Sequence, residues 1–212
     1  VSSEATAHLA EQFESPAKQA HASRLAMWIF LSTEILLFAG LFVSYAAYRT
    51  LFPSEFKLGS HHLKTWIGTL NTFVLLTSSF TVAMSLHFGR TARSRMATLL
   101  LGASIGLALV FMGLKGLEYY QDFREGVLPG RFVGDPELRT PGVGIFFSLY
   151  FLMTGLHAFH VTVGVGVLSW LAFRAWRKSF SPQYDTPLEL GAMYWHLVDA
   201  IWIFLWPLLY LI

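Results

Sequence analysis

Among the ionisable residues inside or at the ends of long apolar runs, seven stand out, and six of them form pairs. Glu34 sits near the middle of LAMWIFLSTEILLFAGLFVSYAAYR, residues 25–49. Lys115 and Glu118, His157 and His160, and His196 and Asp199 are each spaced i, i+3. On a helix that spacing puts both side chains on one face, one turn apart. An ionised group at membrane depth is costly, so an acid there is a functional-site hypothesis by default. Three chemistries suit these residue types. Imidazoles ligate copper or haem iron, carboxylates and imidazoles at stepped depths relay protons, and a Lys–Glu pair neutralises itself.

Depth and neighbours weigh these against each other. Counted from the span ends, His196 lies roughly 10 Å inside span five and His160 roughly 20 Å inside span four. A shared ligand plane would need a marked vertical offset, so metal or haem binding is set aside and the metal-ligand set is empty. Glu34 has only apolar residues one turn away, namely Phe30, Leu31, Leu37 and Phe38. Span one adds just Ser32, Thr33 and Ser44, too few partners for a relay within this chain. The reading that remains is structural. His157, His160, His196 and Asp199 form an interhelical polar network holding spans four and five together, and Lys115 pairs with Glu118 near the outer surface.

The elements that must position these groups are transmembrane helices. Charged residues make up 13% of the 212 residues and hydrophobic residues 54%, with mean hydropathy +0.51. A soluble domain carries about twice that charge. Five apolar spans, about 25–48, 66–89, 96–117, 143–173 and 189–212, each meet the ~20 residues that cross a bilayer. The fold class is therefore an all-α bundle of five transmembrane helices over 25–212, preceded by a polar tail over 1–24 that Pro16 breaks. The two dense basic clusters, RTARSR and RAWRK, fall on the N-terminal side, which predicts N-terminus inside and C-terminus outside. Gly102 and Gly106 form a GxxxG pattern of the kind that lets helices approach closely. The stretch 118–142, rich in Gly and Pro, reads as a surface excursion of turns. No cysteine is present, which excludes disulfides, iron–sulfur clusters and c-type haem attachment. Net charge is +2 with no basic patch, against nucleic acid as a partner.

Five motifs in order then resemble subunit III of the haem–copper terminal oxidases. They are MWIFLSTEILLFAGLFVSY at 27–45, LNTFVLLTSS at 70–79, GLEYYQ at 116–121, TGLHAFHVTVG at 154–164 and YWHLVDAIWIFLWPLLYL at 194–211. The resemblance implies a non-catalytic subunit of a proton-pumping oxidase in the bacterial inner membrane. It implies no haem or copper in this chain, those being held by partner subunits, and bound phospholipids in a cleft near the intramembrane acid, which Glu34 matches. The implied partners are the catalytic subunit I, subunit II, a small subunit IV and membrane lipids, and membership of a larger supercomplex stays open. The implied role is to stabilise subunit I, hold lipid and support proton uptake. The chain has five helices where the mitochondrial form has seven, so another subunit or bulk lipid must supply the missing wall of the cleft. The short form is similar to those of bacterial caa3-type and quinol oxidases, and the tail EQFESPAKQAHASRL resembles the caa3 type more.

Two other functions compete. A secondary transporter would use Glu34 and Asp199 as ion sites, but such proteins show internal repeats and helices broken at mid-membrane, and neither is evident here. A membrane cytochrome b would ligate haem through the histidines and give the isolated chain a Soret band.

Overall fold

The computed structural model describes residues 10–128, 131–132, 140–178, 180 and 184–212. Among them are six helices: α1 Pro16–Leu51, α2 Pro53–His62, α3 Thr65–Arg90, α4 Ser94–Arg124, α5 Pro141–Trp176 and α6 Thr186–Tyr210. All but α2 are long and apolar enough to cross a membrane. A two-residue ribbon, β1 Val127–Leu128 with β2 Arg131–Phe132, pairs antiparallel after α4.

The bundle is a square. Helices α3, α4, α5 and α6 pack each against its neighbours around one core, and α1 lies across the outside of α5 and α6. The core is aromatic where helices converge: Tyr45, Phe56 and Phe146 meet edge to face, with centroids 5.2 Å and 5.4 Å apart along the series. That geometry aligns ring edges with ring faces, as the aromatic quadrupole prefers. Gly164 permits a close approach of α5 to α6. A Cβ there would stand 2.6 Å from the ring of Trp195, which is fully buried.

Several helix ends differ from the sequence expectation. Pro16 does not break the tail; it opens α1, with Ser15 accepting a hydrogen bond from the Lys18 backbone N–H at 3.3 Å. Proline suits this first position because its missing N–H would be unpaired there anyway. Residues 16–24 of the predicted tail therefore continue span one. The apolar count also stops short at the end of α4, which runs on to Arg124 through the first part of the predicted excursion. Pro129, Asp135, Pro136 and Glu137 of that excursion, and residues 1–9 of the tail, lie outside the described residues. The GxxxG glycines do not bring helices together: a Cβ at Gly102 or Gly106 would meet nothing within 4 Å, so both face outward from α4.

The C-terminal turn of α6 leaves carbonyls without helical partners, as every helix end does. Two are met by side chains from other helices. The Tyr45 hydroxyl donates to Leu208 O at 2.6 Å, and that of Thr65 to Tyr210 O at 3.4 Å. These bonds tie α1 and α3 to the end of α6.

Candidate functional site

Glu34 finds its partner on another span. Its Oε2 lies 2.7 Å from His160 Nε2, and the carboxylate is 16% exposed. The other ring nitrogen, Nδ1, stands 2.8 Å from Leu156 O. A carbonyl can only accept, so Nδ1 carries a hydrogen and donates it. One proton is then shared across the Nε2–Oε2 contact. Phe38, fully buried, packs edge-on against the imidazole at 5.4 Å and shields the pair on one side.

The other predicted residues do not join His160. No hydrogen bond connects any two of His157, His160, His196 and Asp199. His196 turns to α3, where its Nδ1 meets the Ser79 hydroxyl at 2.7 Å. His157 is fully buried between the rings of Phe111 and Trp202, with centroids at 5.7 Å and 5.2 Å. Asp199 is 3% exposed and faces Ser79 on α3 rather than any of the histidines on α5. Helices α5 and α6 are instead held by Tyr194, whose hydroxyl donates to His160 O at 3.1 Å. The depth argument also needs correction. Trp195 packs on Gly164, so His196 and His160 differ in depth by about one turn, ~5 Å. What separates them is direction, since one faces α3 and the other α1. Among the described residues, no three of His, Cys, Asp and Glu converge as a metal-ion site would require.

Lys115 and Glu118 do pair, but inside the protein. They are 4% and 1% exposed, and Nζ donates to Oε2 at 2.9 Å. Nζ also donates to the Tyr150 and Tyr210 hydroxyls at 3.1 Å and 2.9 Å, and Tyr210 donates on to Glu118 Oε1 at 2.7 Å. The rings of Tyr119, Tyr150, Trp202 and Tyr210 surround the ammonium at 4.9–5.6 Å. Cation–π attraction operates within about 6 Å of a ring centroid, so Lys115 sits in a cage of four rings and three hydrogen bonds.

Two features had no sequence signal. An ionic clasp closes the N-terminal side. Arg24 on α1 reaches Glu189 on α6 at 2.7 Å, and Arg90 on α3 reaches Asp185, just before α6, at 2.5 Å. Behind it, a cavity of about 710 Å³ opens between the first turns of α1 and the α5–α6 pair. Its apolar wall includes Met27, Phe30, Val167 and Trp170, and Arg24 stands at its rim. Glu34 is one turn from Phe30 and does not line it.

An all-α membrane subunit of five crossing helices, with its ionisable groups turned toward neighbouring helices, is the class this architecture defines. The chain belongs to the cytochrome c oxidase subunit III family, whose sequence model matches residues 10–212. It is similar to the probable quinol oxidase subunit 3 of Staphylococcus haemolyticus, 27% identical over 206 residues that cover 97% of this chain and 96% of the relative. It is also similar to that of Staphylococcus epidermidis, 25% identical over 205 residues with the same coverage, and that of Staphylococcus aureus, 25% over 206. The chain is thus a multi-pass protein of the bacterial plasma membrane and subunit III of a haem–copper oxidase, an oxidoreductase complex with catalytic partner subunits.

Proposed function

We infer that this chain serves its oxidase as a non-catalytic scaffold, stabilising the catalytic subunit, holding lipid and supporting proton uptake. One observation carries the reading. Glu34, Lys115, Glu118, His160 and His196 each spend their hydrogen bonds on groups within this chain, chiefly on neighbouring helices. Groups used in this way build a bundle; they are not held open for a redox centre. Haems and copper then belong to subunit I, with subunit II and a small subunit IV completing the complex. The cavity beside Arg24 suits the acyl chains of a phospholipid along Met27, Phe30 and Val167. The basic clusters RTARSR and RAWRK support an inside N-terminus.

The test is turnover-dependent inactivation of the purified oxidase with and without this chain, alongside an optical spectrum of each. A scaffold leaves haem absorbance and initial activity largely intact on removal, and the depleted enzyme dies in fewer turnovers. Loss of haem absorbance with the chain would refute the reading. For the electron donor, the tail's likeness to the caa3 type supports cytochrome c, whereas the relatives' names favour a quinol. Turnover of the intact complex on reduced cytochrome c against reduced quinol decides between them.

A further inference from the structure

Three polar side chains inside the helical square are short of hydrogen-bond partners among the described residues. They are Asn71 on α3, His157 on α5 and Asp199 on α6, at 0%, 0% and 3% exposure. Asn71 Oδ1 and Nδ2 and His157 Nδ1 and Nε2 are all buried and unbonded, and the buried Asp199 carboxylate has Ser79 alone beside it. Buried polar groups are nearly always hydrogen-bonded, to protein or to ordered water, and unmet ones are costly. Such groups on three helices of one core call for a common explanation.

Two of the three share one depth and the third stands about one turn away. Trp202 fixes the level, donating from its indole N–H to Thr72 Oγ1 at 3.1 Å and packing on the His157 ring at 5.2 Å. Asn71 adjoins Thr72, so Asn71 and His157 share the Trp202 level. Asp199 precedes Trp202 by three residues, about 4.5 Å along the axis, and lies on the same buried face of α6. Nearby hydroxyls are already engaged. Ser79 bonds His196 and can donate its hydroxyl hydrogen to one Asp199 oxygen, which leaves the rest of that carboxylate unmet, and Ser78 accepts from the Trp195 indole at 3.1 Å. Thr72 back-bonds to Gly68 O at 2.9 Å besides accepting from Trp202.

We propose that Asn71, His157 and Asp199 together form an internal water site that joins α3, α5 and α6 at the Trp202 level. The chemistry of the set selects the ligand. An amide offers two donors and an acceptor, an imidazole donates or accepts at each nitrogen, and a carboxyl mainly accepts. Water both donates and accepts, and buried waters characteristically make about three such bonds to groups left unpaired by the fold. The site lies at the centre of the bundle, away from the Glu34–His160 bridge and from the Arg24 cavity. It would bring α5 into a level where α3 and α6 already share the Trp202–Thr72 hydrogen bond.

The test is a cryo-EM map of the intact oxidase at a resolution that shows ordered water. The expected result is at least one peak within hydrogen-bond distance of two of the three side chains. Asp199→Leu should lose the peak nearest α6. If that variant fails to assemble, Asp199→Asn, which keeps size and polarity, should retain the peak. Direct bonding among Asn71, His157 and Asp199 with no density between them would overturn the proposal. So would an unchanged peak in an assembled Asp199→Leu complex.

Discussion

Removing Lys115 alone should do more damage than removing Lys115 and Glu118 together. In Lys115→Met the Glu118 carboxylate stays at 1% exposure, with Tyr210 at 2.7 Å as its one remaining hydrogen bond. Breaking a buried pair from one side costs about 3–5 kcal/mol, because an uncompensated charge is left behind. At about 1.4 kcal/mol per tenfold, that is a loss of roughly 100- to 4,000-fold in the ratio of folded to unfolded subunit. The double variant Lys115→Met with Glu118→Leu removes both charges. It strands only the Tyr150 and Tyr210 hydroxyls, which already lie 3.5 Å apart and can bond one another. Its cost should fall to about 1–2 kcal/mol. The four-ring cage does not change this ordering, because both variants lack the ammonium and lose its ring contacts equally. The assay is release of this subunit from the purified oxidase across a denaturant series, followed on native gels. If the two single losses add in the double variant, Lys115 and Glu118 are not coupled as the geometry demands and the reasoning fails.

Three further outcomes follow from single contacts. Gly164→Ala drives a Cβ into the Trp195 ring and should lower the stability of the complex by about 1–3 kcal/mol. Gly102→Ala, with nothing within 4 Å, should leave the bundle's own stability unchanged or slightly raised; equal losses in thermal melts would contradict this. Tyr45→Phe deletes the bond to Leu208 O and should cost about 0.5–1.5 kcal/mol, seen as faster protease cleavage of α1 in the purified complex. Glu34→Gln preserves a hydrogen-bonding partner for His160 Nε2 and should keep α1 docked. Glu34→Leu leaves that nitrogen bare, which should cost about 1–3 kcal/mol, and equal protease sensitivity of α1 in the two variants would refute the bridge.

What could be read in advance was whatever a single helix contains. Five spans follow from apolar length, and the Lys115–Glu118 pair follows from i, i+3 spacing, because both depend on local geometry alone. The partner of Glu34 was out of reach for the opposite reason: His160 lies 126 positions away, and nothing in either span says which face meets which. The same limit explains the histidines. An i, i+3 spacing leaves two side chains roughly 60° apart around the axis at 3.6 residues per turn. That angle is enough to point His160 at α1 while His157 turns between Phe111 and Trp202. A shared helix face was therefore too coarse a warrant for a shared network. Pro16 and the glycines carry a related lesson. Proline stops a helix in its interior but starts one at its first position, and GxxxG permits close packing only where a neighbour is present. Gly102 and Gly106 have none within this chain, whereas Gly164, which stands in no GxxxG pair, lies against Trp195. Small residues mark where helices are able to touch; the large ring opposite decides where they do.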